Sequence, residues 1–166
     1  MNRLVLLLLV FGGGWWYFHG GRVIGDADVR DFYQLDEMAL LKRDPDALCS
    51  FLAPDYRSEE TAITLEGRQT ESGDKAKSCE AYRQLFQSFE QIGAAMGGMV
   101  QLDHDYSVDR ILLAPDRKSA TAETRFRLNV AGSVMQFGGA TLDTLIRRNG
   151  KMLLFSRQSK VRVISG

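Results

Sequence analysis

Apolar side chains recur at helical spacing in the first half of the chain, beyond an apolar N-terminal run. Residues 26–43 predict an amphipathic helix, because apolar positions three or four apart share one helix face. That face consists of Val29, Phe32, Tyr33, Ala39 and Leu40. A second, short helix is predicted from Asp44 to about Leu52, since Asp caps helix N-termini and Pro45 suits the first helical position.

A third helix has the clearest apolar stripe of the three. Ser72 or Asp74 begins it, and the glycines at positions 93, 97 and 98 end it. Its stripe consists of Cys79, Tyr82, Leu85, Phe86, Phe89 and Ile92. Before this helix, residues 61–65 give only a weak strand pattern, and the polar stretch 67–73 predicts no regular element.

From about residue 100 the apolar period changes from 3.6 to 2, which is typical of strands with one buried face. The predicted strands cover residues 100–114, 118–130, 134–148 and 151–163, with turns at Pro115-Asp116, Ala131-Gly132 and Asn149-Gly150. Asn-Gly is the strongest hairpin signal, because both residues accept the positive φ of a type I′ turn. Three helices followed by a mainly antiparallel sheet predict one α+β domain, in which the helices cover one sheet face.

The N-terminal segment 1–18 is predicted to direct the chain to a membrane. A short basic start containing Arg3 precedes an apolar run, three glycines and the aromatic residues Trp15, Trp16 and Tyr17. As an uncleaved signal anchor, with these aromatic side chains at the membrane interface, the segment would hold the domain outside the cytoplasm. As a cleaved signal peptide it would leave a secreted or periplasmic domain. A buried core helix is the remaining alternative.

The rest of the chain is predicted to be a flexible, glycine-rich tether at residues 19–25, followed by a single domain at 26–166. Arg3 favours an N-terminus inside the cell and therefore a domain in the cell envelope, anchored to the inner membrane, whereas Arg22 opposes this orientation weakly. Because exported domains meet oxidising conditions, Cys49 and Cys79 are predicted to form a disulfide. Two separate buried thiols are the alternative.

Composition and charge narrow the function classes. The 166 residues are 45% hydrophobic and 25% charged, as in an ordinary one-domain globular protein. The 21 basic and 21 acidic side chains balance, so the chain has no general attraction for nucleic acid, and none is expected as a partner. Metal-ligand spacings, glycine-rich phosphate loops and nucleophile elbows are absent from the sequence, and no metal or cofactor is predicted.

One segment resembles a known superfamily. Residues 42–48 read KRDPDAL and residues 51–57 read FLAPDYR, which is similar to the recurring "Asp, x, Asp, Ala, Leu … Leu, Ala, x, Asp" signature of the nuclear transport factor 2-like superfamily. The order of elements over residues 27–163 is similar too. The resemblance implies a cystatin-like, cone-shaped fold with a curved sheet, as in ketosteroid isomerases and SnoaL-like polyketide cyclases. It implies no particular chemistry, because the same cone hosts enzymes, binding modules and assembly subunits.

Helical spacing places Asp36 in the middle of the apolar face that includes Tyr33. A carboxyl group there would face the interior of the cone, where burial would raise its pKa and suit it to acid–base chemistry or ligand binding. The alternatives are an Asp36 satisfied by internal hydrogen bonds and a helix rolled so that Asp36 is exposed. Asp143, on the third of the four strands, is a further candidate carboxylate without other support.

The folded part contains one histidine cluster, Asp103-His104-Asp105-Tyr106. On a strand, His104 and Tyr106 share a face while the two aspartates point the other way. A His–Asp pair therefore needs an acid from another element, such as Asp36, and a structural position lining the sheet is the alternative. Tyr33, Asp36, His104 and Tyr106 are the predicted cavity residues.

Two functions from different classes fit these features. Because no catalytic set can be assigned, we favour a membrane-tethered extracytoplasmic module that binds a small apolar ligand or an envelope protein. The alternative is an isomerase or lyase of the ketosteroid isomerase or polyketide cyclase type, with Asp36 and His104 as its acid–base pair. Dimerisation through the sheet is common in the superfamily that the sequence resembles, and the sequence leaves a homodimer open.

Overall fold

The computed structural model describes residues 23–64, 67–95, 97–98, 102–130 and 135–164. Within these residues, three helices and six strands make up an α+β fold, which confirms the predicted class. The helices are α1 Asp26–Leu41, α2 Pro45–Ser50 and α3 Lys75–Ala95, and the strands are β1 Leu52–Thr64, β2 Gly67–Asp74, β3 Leu102–Leu113, β4 Ser119–Val130, β5 Met135–Arg148 and β6 Lys151–Ile164.

The N-terminal predictions are only partly open to comparison with the structure. The predicted membrane segment 1–18, with Trp15, Trp16 and Tyr17, lies outside the described residues. None of the described helices is long and apolar enough to cross a bilayer. The side chain of Ile24, which the sequence assigns to the tether, is fully buried in the core.

Hydrogen bonds hold this first folded stretch in place. The Ile24 amide donates to the Arg117 carbonyl at 2.7 Å. The Arg147 guanidinium donates to the Val23 carbonyl at 2.7 Å and to Asp28 at 2.8 Å. Residues 23–25, which the sequence assigns to the tether, therefore include positions bound to the folded domain.

Aspartate caps explain where the second and third helices begin. The Asp44 carboxylate accepts from the Ala47 amide at 2.9 Å, and the Asp74 carboxylate accepts from the Lys77 amide at 2.9 Å. Both bonds satisfy an amide that has no partner within the helix. The predicted N-cap Asp44 is confirmed, and of the two predicted starts of the third helix the structure has Asp74.

The chain between the second and third helices differs from the prediction. α2 ends at Ser50, and β1 begins at Leu52 and runs for 13 residues, where the sequence predicted only a weak strand at 61–65. Leu52 and Ala53 are both buried, because β1 shifts register between Leu52 and Arg57. Pro54 lies within this irregular stretch, where the regular strand pairing is interrupted. The shift also disturbs the alternation of apolar and polar residues by which a strand is predicted from sequence.

The polar stretch 67–73 is a strand and not a loop. β2 pairs antiparallel with β1 at the sheet edge, and nearly all of its side chains are exposed. An edge strand with both faces in solvent has no apolar alternation, so the pattern gave no signal. At the other end of α3, Gly93 is buried within the helix and does not end it as predicted.

The six strands form one curved mixed sheet in the order β2-β1-β6-β5-β4-β3. β1 runs parallel to β6, and every other neighbouring pair is antiparallel. The predicted meander β3 to β6 is confirmed, with ends within two residues of the predicted ones. The predicted turn Ala131-Gly132 lies outside the described residues.

The hairpin between β5 and β6 contains the predicted Asn-Gly turn and an unpredicted bulge. Asn149 and Gly150 have φ values of 52° and 77°, as a type I′ turn requires. Farther from the turn, Phe155 has no partner on β5, so the register shifts by one residue. Beyond this bulge Asp143 lies opposite Arg157.

The helices cover one face of the sheet, and the core lies between them. α1 packs on β3 and β6, while α3 packs on β1 and β2. The larger core cluster includes Ile24, Val29, Tyr56, Leu145 and Leu154, which are almost fully buried. Each such apolar side chain contributes roughly 1.5–3 kcal/mol through burial.

Candidate functional site

A cavity of about 290 Å³ lies between the helices and the sheet face that they cover. A volume of this size is at the lower end of the range for small-molecule sites. Most of its wall is apolar or aromatic, with a few ionisable side chains. It is lined by Tyr33, Asp36, Glu37, Leu40, Leu48, Glu60, Tyr82, Leu85, His104, Tyr106, Thr124, Phe126, Leu128, Thr141 and Arg157.

One of the cavity-lining side chains, Arg157, is ion-paired with a buried carboxylate. Asp143 on β5 is fully buried and accepts two hydrogen bonds from Arg157 on β6, at 2.9 Å from Nε and 2.8 Å from Nη2. The Tyr33 hydroxyl, from α1, also donates to Asp143 at 2.8 Å. Side chains from α1 and β6 therefore bind one carboxylate of β5. A buried carboxylate needs such hydrogen bonds and a counter-ion. Burial, followed by the negative charge of Asp143, raises the pKa of Tyr33 above its ordinary value.

The Asp36 carboxyl group lies on α1 one turn after Tyr33 and lines the same cavity. The predicted interior position is therefore confirmed, and Asp36 is not rolled into solvent. Burial raises the pKa of Asp36 above the ordinary carboxyl value, the positive charge of Arg157 opposes the rise, and Asp143 adds to it. A carboxyl group with such a raised pKa is suited to donating a hydrogen bond or carrying a proton.

His104, on β3, has an acidic neighbour on α1. Its Nδ1 lies 3.5 Å from the Glu37 carboxylate, and its side chain is only 11% exposed. The acid nearest to this nitrogen is therefore Glu37, whereas the sequence had suggested Asp36. The reason is helical: residues 36 and 37 point about 100° apart on α1, and the neighbouring strand β3 faces the second of them.

Aromatic stacking extends from His104 along the cavity wall. The Tyr106 ring is stacked on the His104 ring with 6.1 Å between centroids, and it lies 5.7 Å from the ring of Tyr33. Burial, together with the charges of Glu37 and Asp36, raises the pKa of Tyr106 to about 12. Tyr106 is therefore a neutral hydrogen-bond donor at physiological pH.

The predicted disulfide Cys49–Cys79 is present and joins α2 to α3. Its two Cα atoms are 5.4 Å apart, and 30 residues separate the cysteines in sequence. Neighbouring residues of both helices, Leu48 on α2 and Tyr82 on α3, line the cavity. The disulfide therefore fixes one side of the cavity wall covalently.

The structure brings all four predicted cavity residues, Tyr33, Asp36, His104 and Tyr106, to one cavity. Sequence reasoning missed Glu37, Tyr82 and Arg157. Tyr82 lies in the predicted stripe of the third helix, a position that by itself indicates core packing. Arg157 had no signal, because its place opposite Asp143 depends on the bulge in β6.

Across the described residues, no cluster of three or more His, Cys, Asp or Glu side chains is placed to hold a metal ion.

Comparisons with known proteins identify the fold. No protein-family model matches the chain. No curated protein matches it in sequence. Among solved structures, a conserved protein from Planctomyces limnophilus superposes with a TM-score of 0.61 at 18% identity, covering 84% of this chain and 97% of that chain.

Two further structures give the fold its name. A ketosteroid isomerase-like protein from Erwinia carotovora atroseptica has a TM-score of 0.53 at 15% identity and covers 84% of this chain and 96% of its own. An NTF-2 like protein of unknown function from Silicibacter pomeroyi has a TM-score of 0.54 at 12% identity, with 82% and 94% covered. Such identities establish the fold alone. The predicted resemblance is thereby confirmed, and the chain has the curved-sheet fold of the nuclear transport factor 2-like superfamily.

Proposed function

We propose that this domain binds a small, largely apolar molecule in the cavity between its helices and sheet. The observation that carries the proposal is the cavity itself, which has a volume of about 290 Å³ and walls built mainly of Leu, Phe and Tyr side chains. An engineered apolar cavity of roughly 150 Å³ holds benzene, so this one has room for a larger molecule. A few polar groups among apolar walls are the usual composition of a ligand site.

Thermal unfolding in the presence of apolar compounds tests this binding. A ligand that binds only the folded protein stabilises it by about 2.7 kcal/mol at one hundred times its Kd. We expect a saturable rise in Tm for at least one compound in a panel of aromatic and aliphatic molecules. If no compound raises Tm, or if the rise does not saturate, the proposal is wrong.

Two tryptophan substitutions on α1 provide a matched control. Leu40 lines the cavity, whereas Leu35 on the same helix is 49% exposed and does not line it. Leu40→Trp fills part of the cavity and is expected to remove the ligand-induced rise in Tm. Leu35→Trp adds the same volume on the solvent side and is expected to retain it.

We further propose that residues 1–18 hold this domain at a membrane, on the outer side of the cytoplasmic membrane. The apolar run and its aromatic end support the anchor, and the Cys49–Cys79 disulfide fits an oxidising compartment. In fractionated cells we expect the protein in the membrane pellet after a high-salt wash, with an intact mass that includes Met1. A soluble product that lacks these residues would identify a cleaved signal peptide instead.

A second function is favoured by the ionisable groups of the cavity. Asp36 has a raised pKa and shares the cavity with the His104–Glu37 pair, so an acid and a base face the same space. This arrangement suits proton transfer in an isomerase or lyase, and a ketosteroid isomerase-like protein is among the structural neighbours.

Isomerisation of a β,γ-unsaturated ketone to its conjugated form, followed by ultraviolet absorbance, tests this second function. If the domain is such an enzyme, the parent protein turns the ketone over, and Asp36→Asn abolishes turnover without changing the circular dichroism spectrum. Equal turnover by the parent and Asp36→Asn would rule out the proposed role of Asp36. A parent without turnover of this ketone would count against an isomerase of the ketosteroid type.

A further inference from the structure

Two side chains that line the cavity, those of Arg157 and Tyr82, carry hydrogen-bond donors that the described residues leave unused. Arg157 lines the cavity and its side chain is 22% exposed. Its Nε and Nη2 atoms bind Asp143, which uses two of the five N–H donors of the guanidinium. Within the described residues, Nη1 has no hydrogen-bond partner.

Tyr82 provides a second donor close to Arg157. Its side chain lines the same cavity from α3, and its hydroxyl makes no hydrogen bond to another described residue. Burial raises the pKa of Tyr82, while the positive charge of Arg157 acts on the hydroxyl in the opposite direction. The phenol therefore remains protonated, and it can donate to an acceptor that lies beside the guanidinium.

We propose that Arg157 and Tyr82 form a subsite for a carboxylate group, so that the ligand is an apolar monocarboxylic acid. This inference rests on the proposed binding of a small molecule in the cavity and specifies its chemical class. The carboxylate accepts hydrogen bonds from Arg157 Nη1 and the Tyr82 hydroxyl. The apolar body of the ligand lies along Leu40, Leu85, Phe126 and Leu128.

The unused donors of Arg157 and Tyr82 support an acid rather than an amine. Asp143 balances the single positive charge of Arg157, but its bonds to Nε and Nη2 leave Nη1 of the guanidinium with free donors. A carboxylate accepts two such donors in a fixed geometry, and charge-assisted bonds of this kind are stronger than neutral ones. An ammonium group has no acceptor and cannot accept a hydrogen bond from these donors.

The Asp36 carboxyl group is an acidic neighbour of a carboxylate bound in this cavity. It lines the same cavity, and Arg157 is its strongest stabilising charge. In its protonated form Asp36 adds a third donor to the subsite, and in its ionised form it repels the ligand. Glu37 and Glu60 line the cavity as well, and Glu37 lies beside His104.

Three probes with one body and different head groups test the inference. We use 3-phenylpropionate, 3-phenylpropan-1-ol and 3-phenylpropylamine with the full chain, and we measure Kd by calorimetry. We expect the acid to bind about tenfold more tightly than the alcohol, as one charge-assisted hydrogen bond predicts, and the amine to bind most weakly. Equal affinities, or a preference for the amine, overturn the carboxylate subsite but leave apolar binding intact. If none of the three binds, the carboxylate subsite is overturned, whereas the proposal of apolar binding is decided by the thermal-unfolding panel.

Two variants locate the head group. Tyr82→Phe removes only a hydroxyl, and we expect it to weaken binding of the acid about tenfold with little effect on the alcohol. Tyr56→Phe is the control, because Tyr56 is buried in the core and does not line the cavity. Arg157→Lys keeps a cation beside Asp143 and therefore avoids an uncompensated buried charge, and it is expected to weaken the acid selectively. Unchanged affinity for the acid in both cavity variants would overturn the subsite.

Discussion

At the scale of single residues, two buried carboxyl groups in this protein have opposite surroundings. Asp143 accepts three hydrogen bonds and faces the cation of Arg157. Asp36 accepts none among the described residues, and burial is the largest influence on its pKa. Asp143 is therefore held in place by its hydrogen bonds, whereas Asp36 is a carboxyl group whose pKa is raised by burial.

The raised pKa of Asp36 predicts a pH-dependent cost to stability. An ordinary carboxyl group in the unfolded chain ionises near pH ~3.9. Because the folded-state value is higher, the folded protein loses stability as pH rises from that region through the raised pKa. Asp36→Asn removes this loss, so its Tm should exceed that of the parent at neutral pH, and the difference should close as pH falls.

The control for this experiment is Asp31→Asn, since Asp31 lies on the same helix and is exposed. Thermal unfolding followed by circular dichroism between acidic and neutral pH provides the measurement. A Tm difference between Asp36→Asn and the parent that is the same at every pH would contradict the assignment of this titration to Asp36.

Asp143→Asn tests the buried ion pair. The substitution removes the counter-ion that is hydrogen-bonded to the largely buried Arg157, so we expect the free energy of unfolding to fall by roughly 3–5 kcal/mol in urea titrations. Asp55→Asn is the control, because Asp55 forms a bidentate pair with Arg148 that is exposed to solvent. That variant should change stability little. Equal decreases in the free energy of unfolding in the two variants would show that burial of Asp143 does not increase the contribution of its ion pair to stability.

At the scale of elements, the disulfide connects two helices that the sequence shows as separate amphipathic segments. α2 is only six residues long, too short to persist alone in water. Its position depends on the bond from Cys49 to Cys79, on burial of Leu48 and on its Asp44 cap. This end of the cavity wall therefore depends on the redox state.

Reduction of the disulfide is expected to lower the free energy of unfolding by about 3.5 kcal/mol, because the closed loop of 30 residues constrains the unfolded chain. Urea titrations with and without reductant measure this loss. In the double variant Cys49→Ser, Cys79→Ser, reductant should have no effect. A parent protein whose unfolding midpoint is insensitive to reductant would contradict the prediction.

At the scale of the whole molecule, the folded domain includes residues that the sequence assigned to a tether. Ile24 is fully buried, and the carbonyl groups of Val23 and Ile24 accept hydrogen bonds from Arg147 and Arg117. These contacts come from the β5 and β3–β4 regions, more than 90 residues away along the chain. Long-range contacts of this kind are invisible to a local composition signal such as a glycine-rich stretch.

Two truncated chains test this boundary. A chain beginning at Val23 keeps all of these contacts, while one beginning at Asp26 loses the burial of Ile24. We expect the shorter chain to be less stable than the longer one by at least about 1.5–3 kcal/mol, the contribution of one buried aliphatic side chain. Chemical denaturation of the two chains gives the difference, and equal midpoints would show that the folded domain begins after Gly25.

Local signals predicted a large part of the fold. Periodicity located the three helices and the four strands from β3 to β6, and the caps Asp44 and Asp74 follow from hydrogen bonds within a few residues. The Asn149-Gly150 turn follows equally from backbone preferences. By contrast, β1 and β2 gave little pattern, because one has an irregular register and the other is exposed on both faces.

The candidate site divides in the same way. The sequence alone determined that Tyr33 and Asp36 share a helix face and that His104 and Tyr106 share a strand face, because those relations depend on the period of a single element. Only the tertiary structure decided that Glu37 is the neighbour of His104 and that Asp143 lies opposite Arg157. The first depends on how α1 lies against β3, and the second on a one-residue bulge at Phe155. Both result from packing between distant segments, which no local period encodes.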